Sequence, residues 1–240
     1  MRALRSILFW VLAWLFFVPV VIFMILAVTF LGQRKVEFML RPVARGVLFL
    51  TGARLRIVRA PGYDPTRTCF YASNHVNLFD PFVLYPAIPV MFRGLELESH
   101  FRIPFYGWMM KRFGNVPVPV ERTPTALKKT YRLAGEALAR GTNLMVFPEG
   151  GRTTDGRVQE FERGVFRMAL QLKVPIVPVS IVGAFRWNNK LSWHLTPARV
   201  TVHVHEAVET EGLTRADLDD LRQRVRAIVA GPVDEDLERR

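Results

Sequence analysis

At 240 residues the chain is long enough for one sizeable α/β domain and an anchor, and half of its residues are hydrophobic, which excludes a disordered chain. The 33 basic residues against 21 acidic ones leave a formal charge of +12, which suits nucleic acid, anionic lipid or an acidic substrate and does not choose among them. The single cysteine, Cys69, excludes an intrachain disulfide.

Residues 7–31 carry no charged side chain. As a helix this run is about 37 Å long, enough to cross a bilayer core. It is longer than a signal-peptide apolar region, and no small-x-small cleavage site follows it. Pro19 sits at its centre, where a helix loses a hydrogen bond and kinks. Two geometries fit: a kinked single span, or a shallow hairpin broken near Pro19 that enters one leaflet. Arg2 and Arg5 precede the run, and Arg34, Lys35, Arg41 and Arg45 follow it. For a single span, this asymmetry favours a body on the cytoplasmic face of the inner or plasma membrane. Residues 36–50 mix apolar side chains with Arg41 and Arg45 and suit a helix lying along the headgroups. The alternative is a buried core helix, but few soluble domains contain so long a charge-free run. The chain thus divides into a membrane anchor with an interfacial helix, residues 1–51, and an α/β domain, residues 52–240.

Beyond Gly52 the pattern alternates. Residues 55–58, 68–72 and 89–92 read as strands, with Cys69 a small buried hydrophobe in the second. Residues 104–112 read as a short helix. Residues 116–120 form a strand in which Pro117 and Pro119 deny two backbone donors, the mark of an edge or irregular strand. Thr123 is a candidate N-cap with Pro124 at the first helical position; Leu127, Tyr131, Ala134 and Leu138 follow at helical spacing, and Gly141 ends the run. Residues 144–147 are a short apolar strand, 164–172 a helix and 174–182 a buried strand. Val200, Val202 and Val204 alternate with Thr201, His203 and His205 as in a half-buried strand. A last helix runs from Thr214, with Leu218, Leu221, Val225 and Ile228 on its apolar stripe. Strands alternating with helices predict an α/β fold with a mostly parallel central sheet flanked by helices, preceded by the membrane-anchoring helical segment.

Two short motifs carry chemistry. The first is Asn74-His75-Val76-Asn77-Leu78-Phe79-Asp80. An imidazole near pKa 6.5 takes a proton from an alcohol at neutral pH, and works better when a carboxylate holds its other nitrogen. On one continuous helix His75 and Asp80 stand roughly 140° apart and do not share a face. They meet if His75 lies in a turn and Asp80 begins the helix, an arrangement favoured by Pro81. By the same token, Asp80 fits a simple N-cap and His75 a structural histidine.

The second motif is Phe147-Pro148-Glu149-Gly150-Gly151-Arg152-Thr153. Gly150 and Gly151 let backbone amides approach a ligand closely, and consecutive amides in such a turn make an anion nest. Arg152 adds a planar cationic fork for phosphate. Glu149 suits orienting an arginine or bonding a substrate hydroxyl. An ordinary turn with solvated charges has the same sequence.

Together and in this order the motifs resemble the glycerolipid acyltransferase family, which includes the 1-acylglycerol-3-phosphate (lysophosphatidate) acyltransferases. That family carries a His-x-x-x-x-Asp motif, a glycine followed by a short strand ending in arginine, a Phe-Pro-Glu-Gly-x-Arg motif and a proline-containing apolar strand. Their counterparts here are His75 with Asp80, Gly114 to Arg122, Phe147 to Arg152, and residues 174–179; the resemblance covers residues 55–208. The gap from Gly114 to Arg122 is two residues longer than usual, which preserves strand facing. Gly151 stands where Thr is common, and the family's Lys-Glu pair before Ile103-Pro104 has only Glu98 nearby.

The resemblance implies transfer of a fatty acyl group from an acyl thioester to the hydroxyl of lysophosphatidate, giving phosphatidate in phospholipid synthesis. His75 is then the base and Asp80 its orienting partner, while Arg122, Glu149, Gly150 and Arg152 hold the acceptor's phosphate end. No metal and no bound cofactor are implied. The donor is acyl-coenzyme A or an acyl-carrier protein, and the partners are the phospholipid bilayer and the lysophospholipid acceptor. Another lysophospholipid or lyso-aminolipid acceptor, or a non-catalytic protein binding anionic lipid, are the alternatives. Nucleic-acid binding is not expected, because no binding module is recognisable. His203 and His205 share a strand face and read as an exposed polar surface rather than a metal site. Arg222, Arg224 and Arg226 read as a solvated helix surface. Trp187 and Trp193 fit either a membrane interface or ordinary packing.

Overall fold

A computed structural model describes residues 1–121 and 123–239. Arg122 therefore lies outside the described residues. The chain begins with two helices, α1 (Arg2–Leu31) and α2 (Gln33–Leu50). They fold back on each other about Gly32, whose φ of 81° lies in the left-handed region that glycine adopts without strain. Phe16 abuts Gly46, and Phe9 abuts Gly52, so the pair is antiparallel. The break is at Gly32, whereas Pro19, where one of the two expected geometries placed the break of a hairpin, sits inside an unbroken helix. A proline deletes one helical hydrogen bond, and that loss does not outweigh the packing along the rest of α1.

Both ends of α1 are tied to the body. Near its start, Ser6 Oγ accepts from Leu195 N at 3.1 Å and Trp10 Nε1 donates to Trp193 O at 2.7 Å. Near its end, Arg112 Nη1 donates to Thr29 Oγ1 at 2.9 Å. Between them Trp10 packs on Phe79 and Phe17 on Phe82. The helix lies along the body rather than projecting from it. By length and composition α1 is apolar enough to cross a membrane.

The strands are β1 (Ala53–Arg59), β2 (Phe70–Ser73), β3 (Phe92–Leu97), β4 (Val116–Val118), β5 (Asn143–Val146), β6 (Ile176–Val182) and β7 (Ala198–Val204). They form one sheet in the order β1-β7-β6-β2-β5-β3-β4. Every neighbouring pair is parallel except β6 with β7. The mostly parallel α/β fold is thus as expected. The connecting helices are α3 (Asp80–Ala87), α4 (Tyr106–Arg112), α5 (Pro124–Ala139), α6 (Arg163–Leu172), α7 (Ala184–Trp187) and α8 (Leu218–Glu238). One face of the sheet buries Tyr71, Met145, Val177 and Val202 with Val47, Val83 and Leu84 of α2 and α3. The other buries Phe70, Leu144 and Ile176 with Ala134, Phe166 and Val225 of α5, α6 and α8. Burial on both faces explains the continuous apolar runs of β5 and β6. Thr123 caps α5 by accepting from Ala126 N, and β4, with Pro117 inside it and Pro119 just beyond its end, is an edge strand.

The remaining differences have physical causes. β3 was expected at residues 89–92 and runs Phe92–Leu97, where Arg93 and Glu96 interrupt the apolar pattern that marks a strand in the sequence. Arg93 is nevertheless buried, donating from Nη1 to Glu37 Oε2 of α2 at 2.9 Å and to Phe92 O at 2.7 Å. Truncating one partner of a buried ion pair leaves an uncompensated charge. Glu37→Ala is accordingly expected to cost about 3–5 kcal/mol in detergent-solubilised unfolding, and an unchanged transition contradicts that role.

His203 and His205 are not an exposed face. β7 is an inner strand, and α8 packs on its neighbour β6, whose Ser180 reaches both His205 and α8. Ser180 Oγ lies 2.8 Å from His205 Nε2 and donates to Val229 O of α8 at 2.9 Å. Burial first, then neighbouring His203, pushes His205 down to about 4. Trp187 is core, with Nε1 donating to Thr51 O at 3.0 Å, while Trp193 is exposed.

Candidate active site

The two motifs meet at the carboxyl ends of β2 and β5, adjacent strands in the centre of the sheet. That is where an open parallel sheet leaves a crevice. β2 ends at Ser73, and the chain then passes through a turn into α3. Asn74 fixes the start of this turn against β6, with Ile181 N donating to Oδ1 at 2.7 Å and Nδ2 donating to Ile181 O at 3.0 Å. Asn77 fixes its far side, donating from Nδ2 to Ala184 O and Asn188 O and accepting from Phe79 N.

Asp80 is fully buried, and its carboxylate turns back into the turn. Oδ2 accepts from Val76 N at 2.6 Å and from Asn77 N at 3.1 Å, and stands 2.7 Å from His75 Nδ1. Asp80 is therefore the first residue of α3 and not its N-cap, which is Phe79. Its bonds run to upstream amides instead of the downstream amides a cap would hold. With Nδ1 committed to the carboxylate, Nε2 is the nitrogen that presents a lone pair. Phe147 stacks on the imidazole with ring centroids 4.1 Å apart.

The peptide of His75 is held at both ends by the second motif. His75 N donates to Glu149 Oε1 at 2.6 Å, and Thr153 N donates to His75 O at 2.9 Å. Glu149 Oε2 accepts from Gln159 N at 2.8 Å. Glu149 is thus a brace between backbone segments. Each of its oxygens accepts one backbone amide, and among the described residues no arginine side chain is hydrogen-bonded to it. Desolvation raises its pKa to about 7 against the lowering pull of those two amides.

Gly150 has φ +68°, and a Cβ there would sit 2.5 Å from Glu162 Oε1. Its N–H closes the turn on Phe147 O at 3.1 Å, so of the expected nest it supplies the backbone bend and not a free amide. Arg152, half-buried and one residue before Thr153, makes no hydrogen bond among the described residues.

Beside the histidine lies an apolar cavity of about 330 Å³ between the sheet and the first four helices, with Trp10, Phe17, Val47, Phe82, Phe113 and Phe147 in its wall. Phe147 lines the cavity and also stacks on the imidazole, so a single side chain links the cavity wall to His75. The sequence motifs singled out His75 and Asp80, which the structure brings together, and Arg152, which is hydrogen-bonded to neither. They did not reveal Asn74, Asn77, Thr153 and Phe147 as positioning groups, although the polar pair Asn74 and Asn77 flanking a histidine at a strand end was a usable signal.

A family model described as Acyltransferase matches residues 57–182. The 1-acyl-sn-glycerol-3-phosphate acyltransferase of Pseudomonas aeruginosa is 24% identical over 205 residues, covering 82% of this chain and 77% of that protein. The human 1-acyl-sn-glycerol-3-phosphate acyltransferase alpha is 29% identical over 218 residues, covering 89% and 75%. The crystal structure of the 1-acyl-sn-glycerophosphate (LPA) acyltransferase PlsC from Thermotoga maritima superposes with a TM-score of 0.83 at 23% identity, covering 100% of this chain and 97% of that chain, a likeness of fold. The matched segment holds more than half of the chain and contains the His75–Asp80 turn, Phe147 to Arg152 and the whole of β6, and on that ground the chain belongs to the acyltransferase family.

Proposed function

We propose that this protein transfers a fatty acyl group from an acyl thioester to the free hydroxyl of lysophosphatidate, forming phosphatidate. The observation that carries the proposal is an imidazole fixed through Nδ1 by a buried carboxylate beside an apolar cavity. His75 Nε2 takes the acceptor's hydroxyl proton, and Asp80 stabilises the imidazolium that forms. The alkoxide adds to the thioester carbonyl, the carbon–sulfur bond breaks, and the imidazolium returns its proton to the departing thiolate. Transfer is direct. Cys69 is buried with its thiol pushed up to about 12, and the buried Ser73 hydroxyl donates to Asn74 O, so neither is a nucleophile for a covalent intermediate.

The apolar cavity takes an acyl chain, and Arg152 takes the acceptor's phosphate, together with Arg122, which lies outside the described residues. Gly150 provides the bend that brings Arg152 forward. The activities for which the relatives are named support this acceptor. Coenzyme A and acyl-carrier protein present the same thioester, and both are donors to be tried. Residues 1–51 act as the anchor. Leu15, Phe23 and Phe30 of α1 and Phe38 and Phe49 of α2 are exposed, and α1 is tied to the body at both ends. The hairpin therefore seats the body on one leaflet, with Arg34, Lys35, Arg41 and Arg45 favouring the cytoplasmic face.

Loss of a charge-assisted hydrogen bond to phosphate costs about 1.5–3 kcal/mol. Arg152→Ala is thus expected to raise KM for lysophosphatidate by roughly 10–100-fold with little change for the donor. An effect confined to the donor's KM contradicts the phosphate assignment.

A further inference from the structure

We propose that Arg226, on the C-terminal helix α8, is a positioning residue for His75, acting through the peptide between Val158 and Gln159 and the Glu149 brace. The proposal rests on His75 being the base. Arg226 Nη2 donates to Val158 O at 3.0 Å, and its Nε donates to Gln159 O at 3.0 Å. The carbonyl of Val158 and the N–H of Gln159 belong to one peptide group. The guanidinium polarises that group at its oxygen, and its N–H donates at 2.8 Å to Glu149 Oε2. Glu149 Oε1 in turn accepts from His75 N at 2.6 Å. Hydrogen bonds in series strengthen one another.

A second arm leaves the same residue. Gln159 Nε2 donates to Asp155 Oδ1 at 3.0 Å, and Asp155 Oδ1 accepts from Thr153 Oγ1 at 2.8 Å. Thr153 N holds His75 O at 2.9 Å. Residue 159 therefore reaches both ends of the His75 peptide.

Of the three arginines expected as a solvated surface on α8, Arg224 is exposed, whereas Arg222 and Arg226 form a clamp. Leu221, Val225 and Val229 bury one face of the helix. Arg222 and Arg226, four residues apart and so on a common face, are turned toward residues 158–161. Arg222 Nη1 donates to Phe161 O at 2.9 Å and to Glu160 Oε2 at 3.1 Å, and Arg226 Nε lies 3.3 Å from Glu160 Oε1. Arg222 secures the clamp, while among the described residues of α8 Arg226 is the one bonded to the peptide that binds Glu149.

The test is a double-mutant cycle on the full-length protein in detergent, with acyl transfer to lysophosphatidate as the readout. Arg226→Ala is expected to lower kcat by about 10–100-fold, since a small misplacement of a reacting group has effects of that size, with both KM values within about twofold. On a Glu149→Gln background it is expected to add nothing, because the two residues act as one chain. Arg226→Lys keeps the charge but not the fork, so an intermediate kcat is expected; it also replaces the alanine variant if that fails to fold. An unchanged kcat in Arg226→Ala, or losses that multiply fully with Glu149→Gln, overturns the proposal. His75→Ala runs alongside: full activity there fails the base assignment and the positioning role with it, whereas an inactive His75→Ala with multiplying losses fails the positioning role alone.

Discussion

His75→Ala is expected to lower turnover by roughly 10²–10⁴-fold while the protein stays folded. The size reflects what the imidazole does, because without a base near neutral pH the acceptor hydroxyl must lose its proton to water. The fold should survive because the imidazole is partly exposed, with its side chain 24% accessible, and because the Asp80 carboxylate keeps the amides of Val76 and Asn77 when the ring is removed. The check is kcat with saturating donor and acceptor, alongside thermal unfolding of the same preparation. Near-normal turnover in a folded variant removes His75 from the chemistry.

Asp80 should matter twice. Asp80→Asn keeps the shape and leaves an oxygen for the amides of Val76 and Asn77. One position, that of Oδ2, meets those two amides and His75 Nδ1 alike, so the carboxamide oxygen stays there and what is lost is the negative charge that stabilises the imidazolium. Turnover should fall by about 10²–10⁴-fold with modest loss of stability. Asp80→Ala should add a folding penalty, because two buried N–H groups lose their acceptor at about 1–3 kcal/mol each. Equal activity in Asp80→Asn and wild type contradicts the orienting role. Equal stability in Asp80→Ala and wild type contradicts the buried-acceptor account.

What the sequence made legible was local. Pro81 after Asp80 announced a helix start, and the five-residue spacing closed His75 onto Asp80 only across a turn; both hold. The alternation of apolar runs with helical stripes pointed to the mostly parallel sheet. What stayed hidden depends on tertiary neighbours. Glu149 read as a ligand contact, yet it bonds one amide 74 residues away and another beyond the glycine turn. Arg226 read as surface because nothing in α8 announces that the Gln159 segment lies against it. His205 read as exposed because a strand alternating Val with polar residues has the same pattern whether or not a helix covers its polar face. Pro19 read as a kink or a break because its local cost is known, whereas the packing that keeps α1 continuous is supplied by α2 and the body.

The central claim is acyl transfer to lysophosphatidate. Its most direct test offers purified protein acyl-coenzyme A, and separately acyl-carrier-protein thioester, with lysophosphatidate, glycerol 3-phosphate or a neutral-headgroup lysolipid, and measures the acylated product. The predicted result is phosphatidate formed from lysophosphatidate in preference to the other acceptors, and lost in His75→Ala. Transfer only to a different acceptor, or to none with either donor, contradicts it.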